Sequence, residues 1–261
     1  SMPTIPLRGH MAAYDDFGPT TAHPLLLVHG AGHDRGIWQA VAEGLAQAGR
    51  RTIAVDLPGH GSSSGDACLG IDAMADWVLA FADAAGLGRF DLGGHSMGSL
   101  VALAAADSAP TRVGRLVLIG SLAPMPVAPF VLDAARNDPQ QAHALINKFS
   151  FAPAELIGEA RRQALEEANT ARMQRNGAAV LASDLAACDA WQDGLAAAAR
   201  RRGPSLLLCG EVDRMTPLKA VTPLADALQA EGNARLVVLA ACGHGMLDEN
   251  PAAVVQALLE D

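Results

Sequence analysis

The chain has 261 residues, half of them hydrophobic but only 4% aromatic, and carries a formal net charge of −9. That length suits one large domain, or one domain with an insertion, built around aliphatic side chains and closely packed helices. The acidic balance excludes charge-driven binding to nucleic acid or to anionic membrane surfaces, and no apolar run approaches the roughly 20 residues of a membrane span.

Ser1-Met2 reads as an expression remnant ahead of the native start. No basic-then-apolar signal segment follows it, so the cytoplasm is the expected compartment. The first strand candidate, Pro24–Val28, runs into His29-Gly30-Ala31-Gly32, where small residues let a backbone N–H come close to a ligand. The Ala31 N–H is the candidate donor there, and His29 is read as a structural residue bonding within its loop. Trp38–Ala48 predicts an amphipathic helix, Thr52–Asp56 a second strand and Ile71–Ala85 a second helix. Between the last two lies Asp56-Leu57-Pro58-Gly59-His60-Gly61, whose His60 is also read as structural.

The next strand candidate, Phe90–Gly93, leads straight into Gly94-His95-Ser96-Met97-Gly98 and then into a helical pattern from Ser99. In a chain with 26 glycines the pentapeptide alone is weak evidence, and its position between a strand and a helix gives it weight. A serine on so sharp a turn is forced out of the sheet, its Oγ exposed and its backbone strained. The crowded positions two before and two after it must be nearly free of side chain. The N–H of the next residue, Met97, then points to where an attacked carbonyl would develop negative charge. His95 beside the serine is read as structural.

Leu116–Gly120 is a further strand candidate, after which the rhythm breaks: from about Leu122 to Asp193 no strand pattern occurs. Pro124, Pro126 and Pro129 punctuate an opening that gives way to helical patterns at Val131–Asn137, Pro139–Phe149, Glu155–Arg175 and Ala178–Ala187. A strand-to-strand crossover rarely needs so many residues. Residues 122–193 are therefore expected to form a helical cap inserted into a core of 1–121 and 194–261. Met125, Phe130, Val131, Phe149, Phe151, Met173 and Trp191 supply the cap's apolar bulk, whereas Arg161 and Arg162 are read as solvated.

Leu206–Cys209 and Leu236–Leu239 complete the strands, Val221–Ala230 is helical, and Pro251 starts a closing helix anchored by Leu258-Leu259. Continuous apolar strands alternating with amphipathic helices imply α/β architecture, a doubly wound, mostly parallel sheet. Asp213 sits just past a strand, where open α/β sheets place their ligand chemistry. Glu211 is its rival, ranked lower because the first residues after a strand are often taken up by the turn. His244, between Gly243 and Gly245, is the best placed of the eight histidines. Asp248 and Glu249 lie too close to it in sequence to be first choices as its partner. A serine hydroxyl is a poor nucleophile at neutral pH unless a neutral imidazole lies within reach, and that imidazole needs a carboxylate to hold its tautomer. Ser96, His244 and Asp213 are the candidates for those three roles.

Cys68, Cys188, Cys209 and Cys242 are scattered, with no C-x-x-C pair, so neither zinc nor a disulfide framework is suggested. They are read as small buried hydrophobes, with Cys242 the one whose oxidation would matter to His244. The histidines show no ligand spacing and no dinucleotide fingerprint is present, so no metal or organic cofactor is implied.

In chain order, His29-Gly30-Ala31-Gly32, Asp56-Leu57-Pro58-Gly59-His60-Gly61, Gly94-His95-Ser96-Met97-Gly98 and Gly210–Asp213 with Gly243-His244 resemble the α/β-hydrolase superfamily over nearly the whole chain. The likeness is to the capped branch that holds small esterases, lactonases, cofactor-free haloperoxidases and carbon–carbon bond hydrolases. Ser96 sets the chain apart from haloalkane dehalogenases and epoxide hydrolases, which attack with Asp at this position. The resemblance implies an α/β-hydrolase fold with an inserted helical cap, and hydrolysis of a small or medium carboxylic ester, lactone or thioester through an acyl-enzyme. In that scheme Ser96 attacks, His244 takes its proton, Asp213 orients His244, and the Ala31 and Met97 N–H groups hold the oxyanion. Carbon–carbon bond hydrolysis or peracid chemistry on the same residues, and a slow-turnover ligand-binding receptor, are the alternatives. Gly32–Trp38 is more charged than the Gly/Pro-rich version typical of the carbon–carbon hydrolases, which weighs against them. The expected partner is a small-molecule substrate, with no nucleic acid and no membrane span, and self-association is left open.

Overall fold

The computed structural model describes residues 3–260, so the reading of Ser1-Met2 falls outside the described residues. The chain begins with strands β1 (Thr4–Leu7), β2 (His10–Phe17) and β3 (Pro24–Val28). Helix α1 (Gln39–Gln47), β4 (Arg51–Val55), α2 (Ile71–Ala84), β5 (Phe90–His95), α3 (Met97–Ser108) and β6 (Val113–Ile119) follow. A helical run comes next: α4 (Pro129–Asn137), α5 (Pro139–Ser150), α6 (Ala154–Ile157), α7 (Glu159–Asn176), α8 (Ala178–Ala190) and α9 (Gly194–Arg200). Then β7 (Pro204–Gly210), α10 (Thr222–Glu231), β8 (Asn233–Leu239), α11 (Met246–Glu249) and α12 (Pro251–Leu259) complete the chain.

The strands form one eight-stranded sheet in the order β1-β2-β4-β3-β5-β6-β7-β8. Pairing is antiparallel at β1–β2 and β2–β4 and parallel from β4 to β8. Alternation along the parallel strands divides their side chains between two cores. Leu26, Val28, Ile53, Val55, Leu116 and Leu118 pack with Met74, Phe81, Leu100 and Leu224 on one face. Leu27, Ala54, Val117, Ile119, Leu206 and Leu208 pack with Trp38, Val41, Val254 and Leu258 on the other. Both faces are thus covered, which is why these strands read as unbroken apolar runs.

Three differences from the sequence reading have physical causes. The β1–β2 hairpin, with Arg8 and Gly9 at positive φ in its two-residue turn, was not anticipated. Its strands are antiparallel and half-exposed, so they carry mixed residues instead of apolar runs. β8 closes the far edge, leaving Leu236 and Val238 each 40% exposed, and is not covered on both faces. The single helix expected over Glu155–Arg175 is split into α6 and α7 at Gly158, which adopts φ +87°. Among the described residues no helix is long and apolar enough to cross a membrane.

Candidate active site

β3 lies between β4 and β5, so successive crossovers leave it in opposite directions and a crevice opens at the carboxyl ends of β3 and β5. The candidate residues lie just beyond the carboxyl ends of parallel strands: Ala31 after β3, Ser96 after β5, Asp213 after β7 and His244 after β8.

Ser96 joins β5 to α3 at φ 55° and ψ −119°, a left-handed conformation that an L-residue adopts only under constraint. Its N–H donates to the Ile119 carbonyl at 2.9 Å, pinning the turn to β6. A Cβ on Gly94 would fall 2.0 Å from the Gly98 carbonyl oxygen, and one on Gly98 would fall 2.1 Å from that of Val28. Both positions therefore exclude any side chain, which is the physical content of the G-x-S-x-G spacing. Met97 is the first residue of α3, so its N–H has no carbonyl to bond within the helix.

Behind the serine, His244 Nδ1 donates to Asp213 Oδ2 at 2.9 Å, and both side chains are buried. The same Asp213 oxygen accepts the Thr216 hydroxyl at 2.7 Å, while its Oδ1 accepts the Met215 and Thr216 N–H groups at 2.8 Å. Burial alone would push the Asp213 carboxyl up. The His244 charge and hydrogen bond, with the donations from Thr216, hold it below the ordinary carboxylate value. The other acids near His244 bond elsewhere. Glu211 accepts the Ala241 N–H, Asp248 pairs with Arg172, and the buried Glu249 accepts the N–H groups of Gly243 and Ala152.

His95 supports His244 from below. Its Nε2–H donates to the His244 carbonyl at 2.8 Å, and the two rings lie 4.9 Å apart. Burial, reinforced by the neighbouring His244, pushes the His95 pKa down to about 3, so the ring is neutral and donates from Nε2 only. A Cβ on Gly120 would come within 3.1 Å of two His244 ring atoms, so that glycine leaves the imidazole its space.

Ser96, Ala31 and His244 line two adjoining cavities. One, of about 80 Å³, runs past His33, Ser150, Phe151 and Asn169. The other, of about 270 Å³, is walled by Met125, Val127, Phe130, Val131, Ile146 and Phe149, with Arg214 the one arginine and no lysine in its lining among the described residues. No hydrogen bond joins the Ser96 hydroxyl to the His244 ring in this arrangement, a looseness common before substrate binds. Ala31 N–H makes no hydrogen bond among the described residues, whereas Gly32 N–H donates to Asp184 at 2.8 Å.

Met173 and Trp191 supply buried apolar bulk, as expected, but neither lines the cavities beside Ser96: Met173 packs with Ala134, Ala135, Ala142 and Leu181, and the Trp191 indole N–H donates to Asp72. Arg161 is exposed, as expected, but Arg162 is half-buried and no solvated arm. Arg161 donates to the Glu249 carbonyl, and Arg162 reaches the carbonyls of Asn147, Lys148, Phe151 and Ala152 at the end of α5. His29 is structural, as expected: its Nδ1–H donates to Gly30 O at 2.9 Å while Nε2 accepts the Leu57 N–H. Asp184 and Glu249 were missed as site-bracing carboxylates. Nothing local marks an aspartate in an alanine-rich helix, although the i+5 position of Glu249 after His244 was in view. Cys188, Cys209 and Cys242 are buried free thiols and Cys68 is half-buried.

A family profile described as alpha/beta hydrolase fold matches residues 23–251. The 2-hydroxy-6-oxononadienedioate/2-hydroxy-6-oxononatrienedioate hydrolase of Burkholderia vietnamiensis is 31% identical over 253 residues, covering 91% of this chain and 85% of that protein. The dihydrolipoyllysine-residue acetyltransferase component of the acetoin cleaving system of Pseudomonas putida is 42% identical over 114 residues. That match spans 43% of this chain and only 30% of the other protein. Among solved structures, a thermophilic esterase from Thermogutta terrifontis superposes with a TM-score of 0.85 at 25% identity, covering 99% of this chain and 96% of that one.

Proposed function

The chain belongs to the alpha/beta hydrolase fold family, and on that premise we propose that it hydrolyses a small or medium carboxylic ester, lactone or thioester through an acyl-enzyme on Ser96. The observation that carries this reading is the buried Asp213–His244 pair at 2.9 Å, on the same cavity as a serine held at φ 55°. Ser96 Oγ attacks the carbonyl carbon as His244 Nε2 takes the hydroxyl proton. Asp213, already bonded to Nδ1, fixes the tautomer and stabilises the imidazolium that forms. The Ala31 and Met97 N–H groups receive the oxyanion. Collapse expels the alcohol, protonated by His244, and His244 then activates water to release the acid. Residues 122–193 act as a cap on a core of 1–121 and 194–261, and the apolar walls of the larger cavity receive the acyl chain.

A second reading keeps the same three residues and cleaves a carbon–carbon bond beside a ketone, supported by the 31% identity to the Burkholderia hydrolase. That protein's named substrates are dioates, whereas among the described residues the two cavities are lined by one arginine, Arg214, and no lysine, which favours esters with an uncharged acyl part.

The test is turnover of p-nitrophenyl esters from acetate to laurate by wild type, Ser96→Ala and His244→Ala. Wild-type turnover that falls by several orders of magnitude in both variants is expected. A folded wild type that spares every ester but cleaves a 2-hydroxy-6-oxo-dienoate would transfer the site to the second reading.

A further inference from the structure

α8 carries one carboxylate, Asp184, that is wholly buried and points out of the helical segment into the core. Its Oδ2 accepts two hydrogen bonds from separate core loops: Gly32 N–H at 2.8 Å and His60 Nε2–H at 2.6 Å. Oδ1 is buried without a partner among the described residues. Burying a carboxylate is costly unless it is paired and bonded, so its position calls for a reason beyond packing.

The bonds around it supply one. His60 Nδ1 faces the Pro58 carbonyl at 2.9 Å, so both of its ring nitrogens face acceptors and the ring carries two protons opposite Asp184. Burial would lower the His60 pKa, but the hydrogen bond and charge of Asp184 raise it overall. The His60 ring lies 4.9 Å from that of His29, which is neutral and ties Gly30 O through Nδ1–H. The loop after β3 is thus gripped on both sides of Ala31: at the Gly30 carbonyl by His29, and at the Gly32 N–H by Asp184. Ala31 N–H, between the two grips, makes no hydrogen bond among the described residues, and Ala31 lines both cavities. α8 also presses on this loop sterically, because a Cβ on Gly32 (φ +68°) would meet Leu181 Cδ1 at 2.9 Å. The loop lies against the serine itself, since a Cβ on Gly30 would stand 3.5 Å from Ser96 Cβ.

We infer that Asp184 is a positioning residue for the oxyanion site: by holding the Gly32 N–H it sets the direction of the Ala31 N–H, so the hydrolytic machinery is complete only when α8 is seated on the core. This rests on the proposed role of Ala31 N–H. It makes α8 part of the catalytic geometry as well as a wall of the substrate cavity. An Asn at 184 still accepts one hydrogen bond but loses the charge that holds His60, whereas Ala at 184 frees Gly32 N–H altogether.

The experiment compares wild type, Asp184→Asn, Asp184→Ala and His60→Gln. Its readouts are kcat and KM on the best ester of the series, and Ki for a trifluoromethyl ketone of the same acyl chain, whose serine adduct places an anionic oxygen at the oxyanion site. Losing a complete oxyanion donor costs about 10²–10³ in kcat, so a misaimed one in Asp184→Ala is expected to cost about 10- to 100-fold with KM within about twofold. The ketone Ki should rise in proportion to the loss of kcat, while affinity for the product acid holds, and Asp184→Asn and His60→Gln should show smaller losses of the same kind. If the variants lose kcat with an unchanged ketone Ki, or lose affinity for ketone and product acid equally, Asp184 is only a structural brace and the inference falls. If Asp184→Ala does not fold, the same comparison on Asp184→Asn and His60→Gln decides. Activity that is insensitive to Ser96→Ala would instead defeat the function proposed above, an outcome separate from either result at Asp184.

Discussion

The two halves of the helical segment over the site are held in opposite ways. α7 and α8 are fastened to the core by polar bonds. Arg175 and Asn176 grip Asp34, Asn176 accepts the Gly61 N–H, Arg172 is bidentate to Asp248, and Asp184 joins His60 and Gly32. α4 has nothing comparable: among the described residues none of its side chains makes a hydrogen bond or ion pair to the core. Phe130 on α4 is 56% exposed while it lines the larger cavity. Directional bonds over-determine a geometry, whereas apolar contacts hold a surface without fixing its register. The half that touches the loop after β3 is therefore the rigid one. α4, which walls the larger cavity opposite α8, rests on apolar contact alone, so local opening is expected there first.

Acid is the harshest way to break this contrast, because it acts beneath the fastened half. His29 and His95 are buried and neutral. Burial, aided by the His60 charge, pushes His29 down to about 4, and burial with His244 pushes His95 down to about 3. Unfolded, both take up a proton near 6.5. The unfolded state thus binds more protons between about pH 6.5 and 4, and stability falls as pH drops through that window. Each ring contributes up to about 1.4 kcal/mol per pH unit. His60 runs the other way. Its raised pKa contributes stability that is complete below about 6.5 and is lost as pH climbs through the raised value. Urea unfolding at pH 7.5, 6.5, 5.5 and 4.5 measures the slope. A free energy that stays flat down to pH 4.5 would falsify the neutral, buried assignment of these rings.

Asp34→Ala tests the fastening directly and with a smaller effect. Asp34 is buried and accepts from Gly36 N–H, Arg175 and Asn176, and those hydrogen bonds and the Arg175 charge hold its carboxyl low against the upward push of burial. Removing it leaves three donors to be resolvated. Arg175 is half exposed and recovers most of its hydration, so the expected loss is about 1–3 kcal/mol. That corresponds to a Tm lower by about 2–4 °C for each kcal/mol. If Asp34→Ala and Phe130→Ala lower Tm equally, the two halves are not held differently.

How much of this was legible in the sequence follows the same division. The parallel strands and the helices after them were readable because burial on both faces leaves unbroken apolar runs, and the strand-end positions of Ser96, Asp213 and His244 were readable from the glycines around them. β1 and β2 were hidden because an exposed antiparallel edge carries no such run. The fastening was hidden for a different reason. Asp34 with Arg175 and Asp184 with His60 are 141 and 124 residues apart, and each is an ordinary charged residue in its own segment. Such pairs exist only once the chain has folded back over the crevice. Gly158 could have been weighed as a break in its helical stretch, since glycine inside a helix costs about 1 kcal/mol relative to alanine.

The smallest expected effect is also the most local. Cys188 on α8 lines the larger cavity opposite α4, and burial pushes its thiol well above the ordinary value. Cys209 and Cys242 lie in the core, pushed up to about 11 by burial. All three should react slowly with methyl methanethiosulfonate at pH 8, because the thiolate is the reactive form. Opening of α4 alone exposes Cys188 and leaves the other two covered. Phe130→Ala removes contacts that are already half solvated, so its cost in global stability should stay within about 0.5 kcal/mol. Its effect on α4 should speed Cys188 modification about twofold, the equivalent of that roughly 0.5 kcal/mol of lost local contact. Mass spectrometry of the three cysteine peptides against time reads this out. Faster labelling at Cys188 alone would locate the opening at α4. Parallel acceleration at Cys209 and Cys242 would mean that the chain opens globally, and that the apolar half is no freer than the polar one.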